Sequence, residues 1–343
     1  MRYITILYSR LDHECRPAAD NHHYIGATPD FQAIDWTTSP MRILKKHLLL
    51  FALMASLLAA ASSAGDAPLQ LASLGQDSRD NHSTASSPWE ALNPRKLQLK
   101  SATALVVDRF GNEVYAKQVD TPMPIASITK LMTAMVILDA GQPLQERITI
   151  TREDRDRIRN TGSRLGYGAT LTRKQLLRLM LMASENRAAS ALARNWPGGK
   201  REFAKAMNLK AFILGMHDSH FADPSGLDAG NVASARDLAK LVRAASEYPL
   251  IHEATTTRSI SVRPWKGRGK LTFGNTNRLL RNENWEIQLS KTGYIREAGR
   301  CLTMQAEIAE QPLTIILLNS YGKLTPIGDS NRLRKWIEGG LEG

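Results

Sequence analysis

The stretch IASITKLMTA, residues 125–134, follows Pro124 and opens a run that stays periodic in apolar residues as far as Ala140. Ile128, Leu131, Met132, Met135, Val136 and Leu138 fall mostly at helical spacing and Gly141 supplies a stop, so a buried helix is predicted over residues 127–140. Ser127 and Lys130 sit three residues apart near its start, which places hydroxyl and amine on one helix face within hydrogen-bond reach. Such an amine can take the hydroxyl proton only if part of it is unprotonated near neutral pH. Its pKa must therefore fall from about 10.4 through burial or a neighbouring cation, and the apolar neighbours Ile125, Leu131 and Met132 predict burial. Taken alone, the same spacing also fits a lysine snorkelling at the first turn of a core helix.

Upstream, residues 102–108 and 113–117 are β-type runs on either side of the turn cluster RFGN, and they read as a hairpin. Downstream, residues 172–247 are mostly helical in pattern, with TRKQLLRLMLMA, NRAASALARNW, KREFAKAMNLKAF and SARDLAKLVRAASE; Ser234 and Asp237 suggest a capping box for the last. The final third returns to strands, RSISVRPW, WEIQLSKTG, RCLTMQAEIAE and LTIILLNS, and closes with a helix from about Ser330. The expected fold is of the α/β (α+β) class, an antiparallel sheet flanked by helices with an inserted helical subdomain.

Two further short motifs follow the first in order, Ser184-Glu185-Asn186 and Lys291-Thr292-Gly293. Ser184 and Asn186 close the run LLRLMLMA, where one helix ends and another begins, and such a junction can aim a hydroxyl and an amide into a cleft for proton relay and positioning. Ser-x-Asn is also an ordinary N-cap. Lys291 and Thr292 lie at the end of a strand-like run, and Gly293 permits close backbone approach at a sheet edge that could align an extended peptide and attract its carboxylate. Each motif is weak by itself. Their order, on helix, helix junction and strand, is specific.

In that order the chain resembles the penicillin-binding proteins and serine β-lactamases, and residues 95–343 share their β-lactamase/transpeptidase-like motif settings. IASITKLMTA, FADPSGLDAGNVASARDLAKL and SKTGYIREAGRCL are closer still to the low-molecular-mass D-alanyl-D-alanine peptidases, the serine peptidases S11. The resemblance implies Ser127 as nucleophile, Lys130 as its base, Ser184 as proton relay and Asn186 as positioner. It also implies carboxylate contacts at Lys291 and Thr292, and an oxyanion hole from the N–H groups of Ser127 and of Tyr294, after Gly293. Peptidoglycan stem peptides are then the substrate, β-lactams covalent inhibitors, and no cofactor or metal is needed. The SEN form and the chain's end 50 residues after Gly293 favour the endopeptidase branch (penicillin-binding protein 7 type) over carboxypeptidases that append a β-domain and amphipathic anchor. Leu333, Trp336, Ile337 and Leu341 share one face of the final helix, which is expected to pack on the core, so no stable membrane anchor is predicted.

The 343 residues, 43% hydrophobic and 23% charged, exclude collagen-like and disordered classes. Residues 41–64 carry Arg42, Lys45 and Lys46, an apolar run of 14 residues and small residues at Ser62 and Ala64. That order predicts a secretory signal peptide and hence the periplasm, and the run is too short to span roughly 30 Å of hydrocarbon. Met41 is then the expected initiator and residues 1–40 a misannotated extension, which N-terminal sequencing of the precursor would test. Residues 65–94 read as a flexible leader and 95–343 as the peptidase domain. Of the net +12, residues 1–40 hold −2 and 41–64 hold +3, leaving +11 on the exported part.

Export leaves Cys15 behind, so Cys301 is the single cysteine of the exported part, and it is expected as a small buried residue. His217 and His220 lack an HExxH motif and a third ligand, which excludes a metal reading. A β-lactamase of class A needs a glutamate in the stretch FADPSGLD, which offers only Asp223 and Asp228. A non-catalytic wall binder is disfavoured by three intact motifs. Nucleic acid is excluded by export and by basic residues dispersed among acids.

Overall fold

The computed structural model describes residues 88–341, so the expected extension, the signal peptide and residues 65–87 of the leader lie outside the described residues. The β-type run SATALVVD forms β1 (Ser101–Asp108), and after a turn at Gly111, φ +93°, the chain returns as β2 (Glu113–Lys117). Asp108 closes this turn by accepting the N–H groups of Phe110 and Asn112, both at 2.9 Å. The C-terminal runs form β3 (Glu286–Ile295), β4 (Gly299–Ile308) and β5 (Gln311–Ser320). All pairs are antiparallel in the order β2-β1-β5-β4-β3, with Leu105 opposite Ile316 joining the two ends of the chain. The strand that carries Lys291-Thr292-Gly293 is therefore a sheet edge.

Between β2 and β3 the chain makes the helical layer: α1 (Lys130–Asp139), α2 (Arg173–Met182), α3 (Asn186–Arg194), α4 (Gly199–Ile213), α5 (Ala235–Ser246) and α6 (Pro249–Thr256). α1 is apolar almost all round because it runs through the core, where Leu131, Met132, Ala134 and Met135 are all 0% exposed. This layer covers one sheet face through Leu105, Leu289, Ile316 and Leu318. The other face, with Val106, Leu302, Met304 and Ile315, is covered by α7 (Thr325–Leu341).

Several expectations shift. The helix predicted from 127 opens as a 3-10 turn, Ala126–Thr129, before α1 begins. α7 starts at Thr325 instead of near Ser330, since Pro326 in a first turn forfeits no helical hydrogen bond. Only half of the capping box at Ser234 forms: its hydroxyl accepts the Asp237 N–H at 3.2 Å, while the Asp237 carboxylate turns to Asp218 N–H and the Ser219 hydroxyl. The run RSISVRPW contributes Ser259–Val262 to a separate two-stranded sheet with Leu271–Gly274. The folded domain also begins before residue 95, because Trp89 and Leu92 are buried among the residues that α7 covers. Leu333 and Ile337 of α7 point into the same cluster, with Trp336 and Leu341 packed at its edge. Among the described residues no helix is long and apolar enough to cross a membrane.

Candidate active site

The 3-10 turn and α1 place Ser127 at the head of a buried helix, where the peptide dipoles favour developing negative charge. Lys130 is 0% exposed, and its Nζ lies 2.7 Å from Ser127 Oγ, 2.8 Å from Asn186 Oδ1 and 2.5 Å from the Ser225 carbonyl. A neutral amine has two N–H groups and one lone pair. Donating to Asn186 and Ser225 leaves that lone pair for the Ser127 hydroxyl, which then becomes the donor. Burial is the main force on this amine and brings its pKa from 10.5 to about 7, with Asp223 and Glu185 pulling the other way.

Ser184 and Asn186 sit in the junction between α2 and α3, as the sequence predicts, and Ser184 holds a positive φ of +57° there. Lys291, on β3, donates to Ser184 Oγ at 3.1 Å and to the Thr292 carbonyl at 2.8 Å. It is 1% exposed, so its amine meets the cleft through Ser184 and not directly. Burial, and then the neighbouring Lys130, hold its pKa well below the ordinary lysine value. Thr292 Oγ1 donates to Thr276 Oγ1 at 2.7 Å. A Cβ on Gly293 would stand 2.9 Å from the Ile125 carbonyl and 3.1 Å from Ser127 N, so only glycine lets β3 lie this close to the turn that carries Ser127. Ser127, Ser184, Asn186, Thr292, Gly293 and Tyr294 line one cleft of about 590 Å³, with Lys130 and Lys291 buried beneath it.

Sequence reasoning missed the loop that holds Lys130 from the far side. Asp223 accepts from Ser225 N–H and hydroxyl, Gly226 N–H, Asp228 N–H and Asn231 Nδ2, all within 2.9 Å. This folds residues 223–228 so that the Ser225 carbonyl faces Lys130 and Gly226, φ +76°, abuts Ala126, whose own φ is +48°. With both oxygens so engaged, Asp223 is a loop organiser and has no free lone pair for a water. A second loop was missed likewise: Asp156 accepts Thr161 Oγ1 at 2.7 Å, and Thr161 accepts Asn186 Nδ2 at 3.1 Å. The signal in both was an aspartate followed at two to five residues by turn formers. Glu185 is not at the surface; it is 9% exposed, caps α3 and accepts the Ser163 hydroxyl at 2.5 Å.

Cys301 is buried and its thiol is pushed up to about 12 by desolvation. His220 Nδ1 lies against the Gly230 carbonyl and His217 against Phe212, away from the cleft. Among the described residues no group of three or more His, Cys, Asp or Glu could hold a metal ion.

A cleft-lining serine on a buried lysine, a helix-junction serine on a second buried lysine and an open strand edge suit acyl transfer to a serine hydroxyl. Comparison with known proteins agrees. Residues 89–322 match the family Peptidase S11, D-alanyl-D-alanine carboxypeptidase. A D-alanyl-D-alanine endopeptidase of Pseudomonas aeruginosa is 45% identical over 258 residues, 75% of this chain and 83% of that protein. One of Escherichia coli is 44% identical over 244 residues, 71% and 79% of the two chains. Among solved structures, the Streptomyces K15 DD-transpeptidase superposes with a TM-score of 0.66 at 26% identity, covering 71% of this chain and 98% of the other. The chain therefore belongs to the S11 family of serine D-alanyl-D-alanine peptidases.

Proposed function

We propose that this chain is a D-alanyl-D-alanine endopeptidase that cuts peptide cross-links in peptidoglycan through an acyl-enzyme at Ser127. The observation that carries the chemistry is the 2.7 Å contact between a fully buried Lys130 amine and the Ser127 hydroxyl. Neutral Lys130 takes the hydroxyl proton as Oγ attacks the D-alanyl carbonyl. The negative charge that develops on oxygen faces the N–H groups of Ser127 and Tyr294. Ser184, held by the Lys291 amine, passes a proton to the departing amine, and Asn186 keeps Lys130 in register. Thr292 meets the carboxylate beside the scissile bond. Water then releases the acyl group and restores Ser127. The same serine is the site of the β-lactam adduct. No glutamate lies in residues 221–228 and Asp223 is committed to its loop, so that adduct should hydrolyse slowly.

Cross-link cleavage, in preference to trimming of terminal D-alanine, is supported by two relatives at 44–45% identity that both carry the endopeptidase name. The site of action is the periplasm, reached through the signal peptide read at residues 41–64. Incubating the mature protein separately with cross-linked dimer muropeptides and with monomeric pentapeptide tests the reading. Conversion of dimer to monomer is expected; release of D-alanine from the monomer with dimer intact would overturn it.

A further inference from the structure

The cleft does not end at Thr292. It continues past Tyr294 to β4 and the start of α7, where Arg296, Arg300 and Lys323 line it together with Arg278 beside Thr276, and no carboxylate lines any part of it. Among the described residues none of these four cations makes an ion pair. Arg159, also in the lining, is different: it pairs with Glu297 at 2.7 Å and donates to the Leu227 carbonyl at 2.6 Å, so it is engaged in joining loops.

Arg300 stands opposite Tyr294 across β3 and β4, and its guanidinium stacks on the Tyr294 ring, 3.8 Å from the centroid. Stacking fixes the guanidinium plane and leaves its N–H edges open for a bidentate anion. Thr292 and Tyr294 are two residues apart on one strand and so face the same side. A peptide whose carboxylate rests at Thr292 must, if it continues, pass Tyr294 toward Arg300 and Lys323. A departing D-alanine stops at Thr292 and leaves those cations unused. A departing stem peptide continues and carries further carboxylates.

We propose that Arg296, Arg300 and Lys323 form a second anion subsite, which takes a free carboxylate on the peptide strand that leaves a cross-link and thereby favours cross-linked substrate over terminal D-alanine. The proposal rests on the cross-link reading for the identity of its ligand. Its test is binding, so that the two can fail separately.

A cross-linked muropeptide dimer, and the same dimer with its free carboxylates converted to carboxamides, compete with a fluorescent penicillin for Ser127 in the full mature protein and in Lys323→Gln and Arg300→Gln. Amidation also removes the carboxylate at Thr292, and that loss is common to every protein compared. The expected result is that amidation weakens competition at least about tenfold more in the wild type than in either variant, a coupling of about 1.4 kcal/mol. Complete labelling by penicillin shows that a variant is folded, and Lys323, exposed on its loop, can be replaced without touching the core. An equal cost of amidation in wild type and in both variants overturns the subsite. Dimer that competes in this carboxylate-dependent way yet is never cut supports the subsite and overturns the endopeptidase reading instead.

Discussion

Asp329 on α7 and Lys130 at the head of α1 are both 0% exposed, yet only the first is surrounded by groups that favour its charge. Burial pushes the Asp329 carboxyl upward, but the Ser101 hydroxyl at 2.6 Å, the N–H groups of Lys100 and Ser101 and the Arg332 guanidinium outweigh it and hold its pKa below the usual value. Lys130 has desolvation as its largest influence, and its own charge in turn helps hold down the pKa of a second buried lysine, Lys291. One face of the sheet thus holds a satisfied charge that ties β1 to α7, and the other holds amines that burial drives toward neutrality. The lesson is that this fold keeps its buried amines where charge is disfavoured and its fastening where charge is welcomed.

The largest break in that comparison is Lys130→Arg. It keeps a cation on the same helix face but removes any proton acceptor, because guanidinium stays protonated above about pH 12. Acylation of Ser127 by penicillin should fall by about 10³-fold or more, measured by intact mass against time. Survival of acylation would reduce Lys130 to an electrostatic role. Asp329→Ala acts on the other face: it leaves buried N–H donors and Arg332 without an acceptor and should cost about 3 kcal/mol of stability in urea unfolding. Acylation by the folded fraction should persist.

A third test uses pH: on both faces stability rises with pH, but in separate windows. Lys130 has a folded pKa of about 7 against 10.5 unfolded, so between these values the unfolded chain binds more protons and stability rises with pH. Relative to Lys130→Met, the wild type should gain roughly 2 kcal/mol between pH 7 and 9. Asp329, lowered below 3.8, contributes stability above that value and loses it as pH falls through its folded pKa. The smallest expected effect is that of Gly226→Ala. Its Cβ would stand 1.9 Å from the Ala126 carbonyl, so the nucleophile turn must shift, and acylation should slow at least about tenfold with Lys130 intact.

Much of this was legible in the sequence because local patterns carried it. The hairpin at residues 102–117, the helices of the central layer and the three motifs all declare themselves within windows of a few residues. Ser127, Lys130 and Asn186 were named together, and they meet around one amine. What escaped depends on distance along the chain. The Ser225 carbonyl reaches Lys130 from 95 residues away, and a backbone acceptor has no residue type to announce it. Trp89 looked like part of a mobile leader because its partners on α7 and β1 lie at the other end of the chain or beyond a turn. Nothing near Glu185 in the sequence announces the Ser163 hydroxyl that it accepts from 22 residues away. The cations at Arg296, Arg300 and Lys323 read as dispersed charge, and only the pairing of β3 with β4 and the approach of α7 gather them.

The claim at the centre of this account is that a desolvated Lys130 is the base for Ser127. The most direct measurement is the rate at which penicillin acylates Ser127 between pH 5 and 9, read by mass on the Ser127 peptide. With a Lys130 pKa of about 7, the rate should fall about tenfold for each pH unit below 7 and level off above 8. A rate that stays flat from pH 5 to 8 in a protein that remains folded would contradict it.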